Sequence, residues 1–208
     1  MTGRGPEALE AVLAESRDLG LLGPGPVARQ IEHAADLARA VGEFRGRFLD
    51  LGSGGGLPGL VLLDTWTDAR GVLLDAQRRR CEFLQRAIAT LDLATRASVE
   101  CGRAEVLARR SELRSQFELV VARSFGPPAV TAECAVGFLR RGGHLVVTEP
   151  PTESGEARWD DARLRELGFA APVSLRSGTT GAVRLELVEE VDDRWPRRDG
   201  MPAKRPLW

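Results

Sequence analysis

Tyrosine and asparagine are absent from this chain of 208 residues, and Lys204 is its one lysine. Arginine supplies nearly all the positive charge, which we read as coding bias rather than chemistry. There are two histidines and no recognisable nucleophile–base–acid triad. Cys81, Cys101 and Cys134 have no C-x-x-C spacing, so zinc and redox motifs are not expected. No metal site is expected either, and three scattered thiols fit buried residues in a reducing, cytoplasmic setting. Long apolar runs are missing as well. Ala11 to Ala14 stops at Glu15, and Leu21-Leu22 is broken at once by Gly23-Pro24-Gly25-Pro26, so neither a signal peptide nor a membrane partner is expected. A net charge of −1 offers no basic field, and any contact with nucleic acid must come from a local patch. What remains is ordinary: 43% apolar and 28% charged residues, enough to bury the core of one domain with a short extension.

The pattern along the chain predicts two helices first, at about 6–20 and 27–41, with apolar positions near helical spacing. Strands at 48–51, 71–75, 97–101, 118–123 and 144–148 then alternate with helices at 58–66, 77–91, 106–114 and 127–139. A helix at 157–167 and strands at 173–175 and 182–190 complete the set. Such alternation predicts an α/β fold with a doubly wound, mostly parallel sheet. The expected organisation is a helical extension over 1–45, a ligand-binding domain over 46–193 and a basic, proline-rich tail over 194–208 on the surface.

Phe48-Leu49-Asp50-Leu51-Gly52-Ser53-Gly54-Gly55-Gly56-Leu57-Pro58-Gly59 is the most informative stretch. An apolar strand ends in an acid, a glycine loop follows, and Pro58 stands where a helix can begin. Glycines let the loop turn sharply and let a ligand touch bare backbone. Two patterns compete. Gly54, Gly56 and Gly59 formally satisfy the dinucleotide fingerprint G-x-G-x-x-G. Asp50, Gly52, Gly54 and Gly56 satisfy D-x-G-x-G-x-G, which resembles the cofactor loop of class I S-adenosylmethionine (SAM) methyltransferases. The glycine that directly follows the strand is Gly52, and counting the fingerprint from it puts Leu57 where glycine is needed. A carboxylate at the strand end also suits a cationic ligand better than a pyrophosphate. Asp75 closes the second strand about twenty residues past the loop, where a carboxylate can accept ribose hydroxyls in either class; it can also cap the following helix.

Further segments make the resemblance specific. Leu57-Pro58-Gly59, then Leu74-Asp75 with Arg79, Arg80, Phe83 and Leu84, then Gly102-Arg103-Ala104-Glu105, Ala122-Arg123-Ser124-Phe125, His33 with Asp36, and the ending from Arg194 to Leu207 together resemble the RsmG, or GidB, family. These are SAM-dependent enzymes that methylate guanine N7 in small-subunit ribosomal RNA. The resemblance runs from about residue 30 to 207. It implies a class I, Rossmann-like methyltransferase fold, SAM as cofactor, and ribosomal RNA or the small ribosomal subunit as partner. It implies cofactor contacts at Asp50, Gly52, Ser53, Gly54, Gly56, Leu57, Pro58, Asp75, Ala76, Ala104, Glu105 and Arg123. Two segments depart from it. Val147-Thr148-Glu149 stands where the family carries Leu-Lys-Gly, which removes a cation and adds an anion. Gly20 to Val27 replaces an Asn-Leu-Thr segment.

Arg123 is the candidate for the reacting region, holding either the methionine carboxylate of SAM or part of the substrate. Its structural alternative is a pair with Asp50 or Glu149. His33 and Asp36 lie one helical turn apart and are expected to pair on the surface. Arg78–Arg80, Arg109-Arg110 and Arg140-Arg141 are expected to be solvated charge. In the tail, Arg197, Arg198, Lys204 and Arg205 accompany Trp195 and Trp208, a combination suited to RNA. The alternatives in function are a related methyltransferase with another substrate, a SAM-binding RNA-association module without catalysis, and, more remotely, a dinucleotide oxidoreductase.

Overall fold

The computed structural model describes residues 5–150 and 158–208. Helices α1 (Pro6–Asp18) and α2 (Val27–Val41) precede β1 (Arg47–Leu51). Then follow α3 (Gly59–Thr65), β2 (Arg70–Asp75), α4 (Arg78–Thr90), β3 (Ala97–Cys101), α5 (Ala104–Leu107), β4 (Phe117–Ala122), α6 (Pro128–Val136) and β5 (Leu139–Glu149). The chain ends with α7 (Asp161–Glu166), β6 (Val173–Ser177), β7 (Thr180–Glu186) and α8 (Met201–Lys204). The seven strands form one sheet in the order β3-β2-β1-β4-β5-β7-β6. The first five run parallel and β7 is antiparallel to both its neighbours. This is the class I methyltransferase arrangement. The strand order reverses between β1 and β4, so a crevice opens at their carboxyl ends, where Asp50 and Arg123 stand.

The central strands are apolar on both faces because helices cover both. One core lies between the sheet and α5, α6 and α7, around Phe117, Phe138 and Phe169. The other lies under α1, α2, α3 and α4, around Phe48, Leu60 and Phe83.

Four elements differ most from their expected bounds. The helix expected at 106–114 is the short α5, because Arg109 and Arg114 turn to carbonyls of the tail: Arg109 Nη2 donates to Pro196 O at 2.5 Å and Arg114 Nη1 to Trp195 O at 2.9 Å. β5 begins at Leu139 rather than 144, pairing Phe117 with Leu139 before a register shift. β7 spans Thr180–Glu186 and not 182–190, since it follows β6 in a tight hairpin that pairs Ser177 with Thr180. The helix expected from 157 starts at Asp161, capped by Asp160, whose carboxylate accepts from Ala162 and Arg163 N–H; residue 157 lies outside the described residues.

The tail does not simply lie on the surface. Trp195 is buried, with the Arg194 guanidinium 4.9 Å and that of Arg197 5.9 Å from its ring centre. Arg197 donates twice to the carboxylate of Glu133 in α6, at 2.8 and 2.6 Å, and Glu133 is 0% exposed.

Candidate active site

The glycine loop takes conformations that exclude side chains. Gly52, Gly54 and Gly56 have φ of 78°, 55° and 102°. At Gly52 a Cβ would stand 2.6 Å from the Phe125 ring, so the aromatic ring lies directly on the loop. Helix α1 braces the other side, where Ser16 Oγ donates to Gly55 O at 2.8 Å.

Asp50 lies beneath the loop, 0% exposed. Its Oδ2 accepts the Gly59 N–H at 2.9 Å. That approach needs glycine, because a Cβ at 59 would sit 2.5 Å from the same oxygen. Oδ1 has no hydrogen-bond partner among the described residues. Burial pushes this carboxyl up to about 7, against the pull of bonds from Ser53 and Gly59. A carboxyl raised from 3.8 to about 7 keeps its proton in the folded state where the unfolded chain has lost it. Its contribution to stability is therefore fully present below pH 3.8, declines as pH rises and is lost above about 7. Urea unfolding at pH 5 and pH 8 is expected to show that Asp50→Asn gains on the parent at pH 8. Equal differences at both pH values would mean Asp50 does not titrate in this range.

Asp75 is also buried. Its Oδ2 accepts from Gly54 N at 2.9 Å and Oδ1 from Gln77 N at 2.8 Å, with Arg80 Nη1 3.4 Å away. The one carboxylate thus both caps the approach to α4 and ties down the loop. Oδ1 keeps acceptor capacity for a ligand hydroxyl, and a second could replace the long Arg80 contact on Oδ2.

Arg123 directly follows β4. It pairs with neither Asp50 nor Glu149, the two partners considered from sequence. Its Nη2 donates instead to Gln30 Oε1 of α2 at 2.8 Å, while Nη1 has no partner among the described residues. Burial lowers its pKa and the charge of Asp50 opposes that shift. Arg123 faces a cavity of about 590 Å³ lined also by Gln30, His33, Phe125, Glu149 and Trp159. Phe125 connects this cavity to the glycine loop. The segment after α1 supplies Pro24, Gly25 and Pro26 to its wall, so both stretches that depart from the family pattern meet here.

His33 and Asp36 do not pair. Asp36 turns to the β6–β7 hairpin, where it accepts from Thr179 N at 3.2 Å and Thr180 Oγ1 at 3.4 Å, and it binds Arg39 at 2.5 Å. His33 lines the cavity, and its Nδ1 has no partner among the described residues. Burial lowers its pKa, and Arg123 adds to that.

The loop residues Asp50, Gly52, Ser53, Gly54, Gly56, Leu57 and Pro58 adjoin Asp75 and Ala76 at the strand ends. Ala104 is buried at the start of α5. Glu105 is turned away: Oε1 accepts from Arg103 Nη2 at 2.9 Å and from Gly200 N at 3.2 Å, holding the tail. In the tail, Arg198, Lys204 and Arg205 are exposed, whereas Arg197 is bound to Glu133. Trp195 is buried, and Trp208, half-buried against the core, donates from Nε1 to Arg158 O at 3.1 Å. Sequence reasoning missed Gln30, Arg158 and Trp159. Gln30 left one trace, a polar residue among the apolar positions of α2. Among the described residues no group of histidine, cysteine and carboxylate side chains is placed to hold a metal ion, and no helix is long and apolar enough to cross a membrane.

A model of the family described as GidB, rRNA small subunit methyltransferase G, matches residues 24–171. A ribosomal RNA small subunit methyltransferase G from Moorella thermoacetica is 34% identical, over 77% of this chain and 69% of its own length. The protein of the same name from Deinococcus deserti is 30% identical over 98% of both. Among solved structures, a methyltransferase from Geobacter sulfurreducens superposes with a TM-score of 0.61 at 14% identity, covering 90% of this chain and 91% of its own. A SAM-dependent methyltransferase from Aquifex aeolicus gives 0.59 at 11%, covering 85% and 98%. At these identities the structural likeness speaks for the fold.

Proposed function

This chain belongs to the GidB family, rRNA small subunit methyltransferase G, and from that premise we propose that it methylates N7 of a guanine in 16S, the small-subunit, ribosomal RNA. It is a class I SAM-dependent methyltransferase. The observation that best supports the site is a pair of buried polar atoms beside the loop: Asp50 Oδ1 and Arg123 Nη1 both lack partners among the described residues. SAM brings an ammonium and a carboxylate on one amino-acid end, which suits one group of each sign. Gly52 to Pro58 would cradle it, and Asp75 would accept its ribose hydroxyls.

Bound SAM supplies an electrophilic methyl group on a sulfonium. Guanine N7 already offers an in-plane lone pair, so no residue has to remove a proton. The protein's work is to align that lone pair and exclude water, which can contribute roughly 7–11 kcal/mol. Phe125 closes the loop side of the cavity. Arg123 would hold the methionine carboxylate and so fix the sulfonium in line with N7.

Transfer from methyl-labelled SAM tests this reading. Label on guanine in immature small subunits is expected. Label only on another acceptor would point to a different substrate, and binding without transfer to an association module.

Asp75→Ala is expected to weaken SAM binding by about 1.5–3 kcal/mol, the scale of hydrogen bonds to a charged group. Calorimetric titration reads this directly, and unchanged affinity would remove Asp75 from the ribose.

For RNA, we assign the exposed tail cations Arg198, Lys204 and Arg205. Arg197 belongs to the same expectation from sequence, but its bond to Glu133 makes it unsuitable for a binding test. Neutralising the other three is expected to flatten the salt dependence of RNA binding by about 0.7–0.9 in log–log slope for each phosphate no longer neutralised. SAM affinity should stay the same. An unaltered slope would move the RNA surface elsewhere, first to Arg78–Arg80.

A further inference from the structure

The cavity beside Arg123 contains a feature that methyl transfer to N7 does not itself require. Among its described lining residues, Glu149 is the only acid, set among Arg29, Arg123 and Arg158. Its side chain is 16% exposed. Trp159 Nε1 donates to Oε1 at 3.1 Å, and Arg158 Nη1 donates to Oε2. Trp159 is itself buried. The carboxylate is therefore held in one orientation by two donors, one on each oxygen. A carboxylate has about four acceptor positions, so each oxygen keeps one open, and the pair can receive two parallel donors.

We propose that Glu149 is the residue that recognises guanine in this cavity, accepting N1–H and the N2 amino group from the Watson–Crick edge. This rests on the reading that guanine N7 is the methyl acceptor. Guanine alone among the four bases presents two adjacent donors on that edge. Adenine and cytosine each place a ring-nitrogen lone pair there, which a carboxylate repels, and uracil has one donor between two carbonyls. N7 lies on the imidazole side of the guanine ring, away from N1 and the N2 amino group. A base held by Glu149 thus leaves N7 free to face the loop side of the cavity, where Phe125 touches Gly52. A base taken out of the stack and read by its Watson–Crick edge is a general device of enzymes that act on bases. It also accounts for an anion in a site that must admit RNA: it sits at the end of β5, inside the cavity and compensated by Arg158.

Inosine, which lacks the N2 amino group, provides the test. The guanosine methylated by the parent protein is mapped first, and small-subunit RNA is then prepared with inosine at that position. Single-turnover transfer by the parent is expected to fall about tenfold or more on the inosine RNA. Glu149→Gln and Glu149→Ala are expected to be slow on the guanosine RNA and to discriminate between the two RNAs by no more than about twofold. SAM affinity and melting temperature should be retained in at least the near-isosteric Glu149→Gln. If Glu149→Gln keeps the parent's full preference for guanosine, the proposal is overturned and Glu149 only braces Arg158 and Trp159. If the parent places no methyl on guanine N7 at all, the underlying reading fails first, and that result is visible before any variant is made.

Discussion

Arg123→Ala is expected to slow single-turnover methyl transfer by about a hundredfold or more, with little change in melting temperature. Misplacing the reactants by about 1 Å can cost about 10²-fold in rate, and Arg123 has the attributes of a residue that positions them. It is half-buried, oriented through Gln30 at 2.8 Å, and its buried Nη1 has no partner among the described residues. Burial disfavours its charged form, so removing it relieves a desolvation cost and the fold need not suffer. A structural arginine would behave in the opposite way, with a lower melting temperature and a near-normal rate in the surviving protein. That outcome would demote it to a partner of α2.

The largest effect on stability is expected at the other end of the molecule. Arg197→Ala should lower the unfolding free energy by about 3–5 kcal/mol, the usual cost of removing one partner from a buried ion pair. Glu133 is fully buried, and among the described residues only the Arg197 backbone N–H, at 2.9 Å, still reaches it after the change. Adding Glu133→Gln should recover part of the loss, because an amide carries no charge to leave unpaired. Urea unfolding of the single and double variants measures both steps. A loss below about 1 kcal/mol, the range of surface pairs, would show that water reaches Glu133 and that the tail is not anchored there.

These two arginines also show where sequence reasoning stopped. The loop was legible because its chemistry is local: an acid, then glycines at the positions with positive φ, then a proline and a glycine that meets the acid. The sheet was legible because apolar runs and helical spacing alternate. Arg123 was legible as a residue but not in its bonding, since Gln30 lies across the fold on α2. Glu133 and Arg197 gave no signal of each other for the same reason. His33 and Asp36 have the spacing of a pair, yet the hairpin after β6 supplied Asp36 with two better-placed donors. The thiols behave in the same way. Cys101 pairs in register with Asp75, and Cys81 donates to the Asp75 carbonyl at 3.2 Å, so two cysteines distant in sequence meet at the cofactor side. Burial, with Cys101 adjacent, pushes the Cys81 thiol up to about 12, which keeps it protonated and unreactive.

The most direct test of the proposed function is a map of N7-methylguanine in small-subunit ribosomal RNA from cells with and without this gene. One N7-methylguanine is expected to disappear when the gene is removed. It should return with the parent sequence and stay absent with Arg123→Ala at equal protein level. An identical set of N7-methylguanines with and without the gene would contradict the proposed function.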